Sequence, residues 1–160
     1  GVEGRGMQQA LSSLETGRIN VAARAVGIAQ RSYEEALRYA RDREAFGRSI
    51  GDFQAVQLKV AEIATQLQAA RLMTYWAASR MDAGERMDTE SGMAKVFSSE
   101  AALQCALDSM RVHGGYGYSA EFEVERLYRD APLMAIGEGT NDVLRTVVAK
   151  ALLKGDARIG

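Results

Sequence analysis

From about Gln8 to Asp42 the apolar side chains fall at Leu11, Leu14, Val21, Ala22, Ala25, Val26, Ala29, Tyr33, Ala36, Leu37 and Ala40. That spacing stacks them on one face of a helix, and the face must be buried against other elements. No segment shows period-2 alternation between turn signals, and the chain has a single proline, Pro132. Long stretches rich in Ala, Leu, Met, Gln, Arg and Glu favour helix almost everywhere else. An all-α domain follows.

Gly17 is the weak point of the first pattern, which reads as one long helix or two nearly collinear ones. The stretch from Gly47 to Gly51 breaks the pattern, and Asp52 is placed to cap a second helix. Its face is Val56, Val60, Ile63, Ala64, Leu67, Ala70, Ala78 and Met81, and Gly84 ends it. A third helix runs from a cap at Asp88 or Thr89 through Met93, Val96, Phe97, Ala101, Leu107 and Met110 to the Gly114-Gly115 pair. Beyond the loop from Gly114 to Ser119, a short amphipathic segment (Glu121 to Arg129) leads through Pro132 to a Gly-Glu-Gly-Thr turn. A last helix runs from Asn141 to about Leu153. Three long helices and one shorter one on short turns predict an up-and-down four-helix bundle, one domain over residues 1–160.

Lys and Arg number 20 against 21 Asp and Glu, a net charge of -1. No long-range field therefore favours nucleic acid or an anionic membrane, and anion binding must be local. The one cysteine, Cys105, lies in an apolar helical pattern, which excludes an internal disulfide and a Cys-based metal site. A reducing compartment is expected, the cytoplasm or a mitochondrial matrix. No apolar run is long enough to span a bilayer. The opening Gly-Val-Glu-Gly-Arg-Gly reads like a linker entering a domain, so an excised fragment is expected.

Chemistry concentrates in three stretches. In Ile136-Gly-Glu138-Gly139-Thr140-Asn141-Asp142 a carboxylate lies between two glycines, uncrowded by neighbouring β-carbons. A helix then begins at Thr140, whose first N–H groups favour negative charge in the turn. Taken alone, the stretch reads first as an ordinary capped loop with a solvated Glu. Arg41, Arg43 and Arg48 cluster where the first helix ends, either compensating its dipole or, through Arg43, forking onto a phosphate with Phe46 and Gln54 across the turn. The glycines after Arg111, including Gly114, Gly115 and Gly117, make a helix cap or a backbone that can lie against a flat ligand. His113, the only histidine, reads as a loop or packing residue.

Together these stretches resemble the acyl-CoA dehydrogenase family, in order and over the whole length. The resemblance is carried by Gly-Val-Glu-Gly-Arg-Gly-Met, Leu14-Glu-Thr-Gly-Arg18, Arg43-x-x-Phe-Gly with Gln54, Gly-Gly-x-Gly-Tyr118, Glu125-Arg-x-Tyr-Arg-Asp-Ala and Glu138-Gly-Thr. It implies the helical C-terminal domain of a flavoenzyme whose other two domains complete the FAD and acyl-CoA sites. By resemblance, Glu138 takes the α-proton of an acyl thioester while hydride leaves Cβ for the flavin, giving a trans-2-enoyl-CoA. Its own backbone N–H is implied to stabilise the thioester oxygen. Glu15, Arg18 and Gly139 match substrate contacts. Arg43, Phe46 and Gln54 match residues reaching the FAD of a neighbouring subunit, hence a homo-oligomer, usually a tetramer. Arg111, Gly114, Gly115, Thr140, Asn141 and Asp142 match further FAD contacts.

Some members of the family carry their base on the first helix, at the position of Gly17, so glycine there leaves Glu138 unrivalled. Two departures stand out: Gly137 where the family commonly has Tyr, and Arg111 where many members have Gln. Electrons are expected to pass to an electron-transfer flavoprotein or similar acceptor. An oxidase that returns electrons to oxygen on the same scaffold is the alternative enzyme, and a helical oligomerisation or binding module the alternative class. The chain alone is expected to fold, to bind FAD weakly or not at all, and to be inactive. Glu138 is expected beside the groove between Arg43 and the paired glycines; a Glu138 far from that groove would leave the helical architecture standing without the enzymatic interpretation.

Overall fold

The computed structural model describes residues 1–84 and 87–155. The first pattern is one helix, α1, Gly6–Asp42, and Gly17 does not interrupt it. Val21, Ala22, Ala25, Ala29, Ala36 and Ala40 are buried as their spacing predicts. Leu11 departs from that pattern: it is exposed and lines a cleft with Met7, Gln8, Glu15 and Arg18 instead of packing in the core.

The break after α1 is a small antiparallel hairpin, β1 (Glu44–Ala45) and β2 (Arg48–Ser49), pairing Glu44 with Ser49 and Ala45 with Arg48. Both turn residues, Phe46 at φ 54 and Gly47 at φ 78, are left-handed, as a tight hairpin requires. The Ser49 hydroxyl donates to the Ala40 carbonyl at 2.7 Å and accepts from the Gly51 N–H at 3.1 Å, tying the hairpin to α1. A 3-10 turn over Ile50–Asp52 follows, so Asp52 lies too early to be the cap; Phe53 precedes α2, Gln54–Asp82.

Neither Asp88 nor Thr89 is the cap of α3, Asp88–His113; that position is Met87, whose side chain is buried with Ile19, Ala77 and Ala94. Hydrophobic burial prevailed over capping there. The buried face of α3 also differs from the one its large apolar residues mark. Ser91, Gly92, Ala94, Lys95, Ser98, Ser99, Ala102, Cys105, Ala106 and Ser109 are buried, whereas Met93, Val96 and Phe97 are only partly so. α3 touches α1 and α2 on one side, and small side chains let helix axes approach closely.

Two 14-residue helices complete the bundle: α4, Glu123–Ile136, and α5, Asn141–Lys154, both packed on α3. α4 runs on through Pro132 instead of stopping near Arg129. The hydrogen bond that proline cannot give to the Tyr128 carbonyl falls on an exposed side of the helix, where water can replace it. The domain is all-α apart from the hairpin. Among the described residues no helix is long and apolar enough to cross a membrane.

Candidate active site

The turn between α4 and α5 is built from both helix ends. Gly137 closes α4 with its N–H on the Leu133 carbonyl at 2.9 Å, and the Thr140 hydroxyl caps α5 by accepting from the Val143 N–H. Between them the chain reverses through Glu138 at φ 55 and Gly139 at φ 92. Glu138 and Phe46 are the two non-glycine residues with positive φ among the described residues, and both were marked by their sequence motifs. A left-handed conformation costs a side-chain-bearing residue roughly 1–2 kcal/mol, and such strain gathers at functional sites.

The Glu138 side chain is exposed and lies across α1 at Gly17. A β-carbon at position 17 would stand 2.6 Å from its Oε2 and 2.8 Å from its Cδ, so glycine there is what makes room for the carboxylate. One helical turn around it are Glu15, half-buried, and Arg18, buried, which line a cleft with Asp88 and Val147. Arg18 reaches Asp88 at 3.5 Å, while its buried Nε has no hydrogen-bond partner among the described residues.

Beneath the turn lies a residue that motif reading missed. Lys95 of α3 is fully buried, and its Nζ donates to the carbonyls of Gly139 (2.8 Å) and Ala135 (3.1 Å) and to Asn141 Oδ1 (2.9 Å). Desolvation lowers its pKa to about 8, with nearby Arg18 pushing the same way and Glu100 opposing. The signal was in the sequence: one lysine in a stripe of small residues, Ser91, Ser98, Ser99 and Ala102. Asn141 is likewise turned inward. Its Nδ2 donates to Ser99 Oγ at 3.0 Å and to Glu100 Oε1 at 2.8 Å, so its amide is committed to the bundle and only its backbone faces the turn. The Asn141 amide, helped by Arg145, holds the Glu100 carboxyl below its usual range. Asp142 is at the surface, paired with Arg145 at 3.0 Å.

The remaining candidates gather at the other end of α1. A cleft of about 570 Å³ is lined by Tyr39, Arg43, His113, Gly114, Gly115 and Tyr116 among others. The Arg43 guanidinium stands over the Tyr116 ring at 5.5 Å, and Gly114 and Gly115 have nothing within 4 Å of where a β-carbon would be. This is a cationic, aromatic wall beside bare backbone, which fits an anionic ligand with flat rings. His113 is a packing residue: its ring stacks on Tyr39 at 4.1 Å, Nδ1 meets the Ser109 carbonyl at 2.8 Å, and burial lowers its pKa. Phe46, at 96% exposure, projects from the hairpin tip, Gln54 is exposed at the start of α2, and Arg111 is paired with Asp108 at 3.1 Å.

The expectation that Glu138 adjoins the Arg43 groove is overturned. Glu138 lies against Gly17, Arg43 follows the far end of the same uninterrupted helix, and at about 1.5 Å per residue the two are roughly 40 Å apart. One chain cannot bring them to one small ligand.

Such a molecule is a helical domain with candidate residues at each end of its longest helix. The family model for the acyl-CoA dehydrogenase C-terminal domain matches residues 4–153. The chain is 49% identical over 150 residues to a 3-(aryl)acrylate reductase of Clostridium sporogenes, covering 94% of this chain and 40% of that protein. It is 42% identical over 150 residues to subunit CarC of the caffeyl-CoA reductase-Etf complex of Acetobacterium woodii, again covering 94% and 40%. Butyryl-CoA dehydrogenase from Megasphaera elsdenii superposes with a TM-score of 0.94 at 38% identity, over 96% of this chain and 40% of that one. The chain belongs to the acyl-CoA dehydrogenase family of flavoprotein oxidoreductases, as its helical C-terminal domain, and spans about 40% of the length of these relatives.

Proposed function

We propose that this domain supplies the catalytic base of an FAD-dependent enzyme that converts an acyl-CoA thioester to its trans-2-enoyl-CoA. The observation that carries the reading is Glu138 itself, an exposed carboxylate on a strained turn with space cleared for it at Gly17. Bound flavin supplies the hydride acceptor for the substrate's β-hydrogen. The Glu138 carboxylate takes the α-proton, so of the two C–H bonds broken the α pair becomes the second bond of the C=C, one proton stays on the protein, and the β-hydrogen is passed on with its electron pair as hydride. The Glu138 backbone N–H serves as a donor to the thioester oxygen as negative charge grows there. Exclusion of water by the bound acyl chain strengthens a carboxylate as a base. Arg18 and Glu15, which line the cleft beside the turn, hold the CoA portion near the thioester, with Gly139 as the backbone contact.

The distance between the two ends of α1 supports a site shared between subunits. Arg43, Phe46 and Gln54 of one chain reach the FAD whose substrate is served by Glu138 of another, and Arg111, Gly114, Gly115 and the start of α5 add cofactor contacts. A homotetramer is the assembly proposed, with an electron-transfer flavoprotein as the redox partner, as the name of the Acetobacterium relative suggests. Glu138→Gln in the full-length protein is expected to abolish bleaching of the flavin by acyl-CoA while flavin content stays at the parent level. Bleaching at the parent rate would show that another group is the base.

The names of the two curated relatives favour a second reading, the same chemistry in reverse. Glu138 would then deliver the proton to Cα of an aryl-substituted enoyl-CoA, for which a bound reduced flavin would be the hydride source. Gly137 leaves space beside the base, with the Leu133 carbonyl alone near its β-carbon position. Anaerobic mixing of the dithionite-reduced full-length enzyme with cinnamoyl-CoA distinguishes the readings, since rapid flavin reoxidation is expected only for the reductase.

A further inference from the structure

Lys95 is the largest fully buried side chain among the described residues, and the reaction as proposed gives it no part. Burying an ammonium is costly unless every N–H finds a partner, and here the three N–H bonds meet three oxygens. All three acceptors belong to the segment that carries Glu138. The Ala135 carbonyl is one of those a helix end leaves without a partner, Gly139 follows the base directly, and Asn141 opens α5. Glu138 meanwhile keeps a left-handed backbone, which a residue with a side chain holds only when its surroundings over-determine it.

We propose that Lys95 is a positioning residue for the base. By holding the carbonyls before and after Glu138 it fixes the strained turn and so keeps the carboxylate in the space over Gly17. The inference rests on the assignment of Glu138 as the base. It also implies a pH dependence. A neutral amine has two N–H bonds, and the three oxygens around it can only accept, so loss of the proton breaks one of the contacts. The charged groups acting on Lys95 are Glu100 of α3 itself and Arg18 from α1, with Arg145 of α5 paired to Glu100. Desolvation brings the lysine to about 8, where its proton can be lost while the fold is intact.

The test is stopped-flow flavin bleaching in the full-length protein over a range of acyl-CoA concentrations, for the parent, Lys95→Met and Glu138→Gln. Lys95→Met is expected to lower the limiting rate by about tenfold or more, the order of loss that a small misplacement of a reacting group causes, with bound flavin and the half-saturating concentration within about twofold. A limiting rate equal to the parent's overturns the proposal. Should Lys95→Met not fold, the parent's limiting rate is followed from pH 7 to 10. A fall centred near 8 is expected, and a flat profile overturns the proposal equally. Glu138→Gln separates the two failures: if it bleaches normally the base is wrong, and if it alone is inactive only the role of Lys95 is.

Discussion

Close to Glu138, the contacts that matter are between single residues far apart in sequence. Gly17 is helical and half-buried, so replacing it by alanine should stabilise α1 by roughly 0.5–1 kcal/mol through helix propensity. The new methyl would stand 2.6 Å from Glu138 Oε2, a flexible end that must move away. Gly17→Ala is therefore expected to raise the melting temperature while cutting the bleaching rate of the full-length enzyme about tenfold to a hundredfold. Thermal denaturation and stopped-flow bleaching of one preparation check both halves. Lys95 gives a stability prediction of its own. Its pKa falls from 10.5 to about 8 on folding, so between those values the unfolded chain binds more protons and stability rises with pH. The gain is at most about 3 kcal/mol, complete near pH 10.5, and the cost is fully present below pH 8. Urea titrations at pH 7.5 and 10 should show parent stability rising relative to Lys95→Met, the reverse of the trend expected for activity.

Along the elements, what the sequence revealed and what it hid have one cause. α1 was legible because one face is covered and the other wet, and its period records that difference. α3 was not, because it is covered from several sides and its closest contacts are made by Ser, Ala and Gly, which carry little hydrophobic signal. Ser98 illustrates this: wholly buried, it meets Thr74 Oγ1 at 3.1 Å and the Ala70 carbonyl at 3.3 Å across the α2 contact. Ser98→Leu has no room and is expected to cost about 1–3 kcal/mol, with Ser98→Ala losing about 1, read as a shift in denaturation midpoint. The capping errors at Asp52 and Asp88 share a different origin. A 3-10 turn and a buried Met87 set where α2 and α3 begin, and both depend on contacts beyond the local sequence.

For the whole molecule, the separation of Glu138 from Arg43 leads to a complementation experiment. Full-length chains bearing Glu138→Gln and chains bearing Arg43→Glu should each be inactive alone. Co-expressed as mixed oligomers they should regain a fraction of parent activity, since some sites then join an intact base from one chain to an intact arginine from another; mixtures as dead as either variant would place both residues in one chain's site. The sequence by itself determined the helical class, the glycine-flanked Glu138 turn, the arginine segment and the family, because periodicity and short motifs are local and survive without coordinates. Tertiary structure alone decided that Gly17 clears space for Glu138, that Lys95 holds the turn from below, and that the two groups of candidate residues lie at opposite ends of α1. Those facts depend on which helix faces approach and on how far a rigid rod extends, and neither is written in any one stretch of residues.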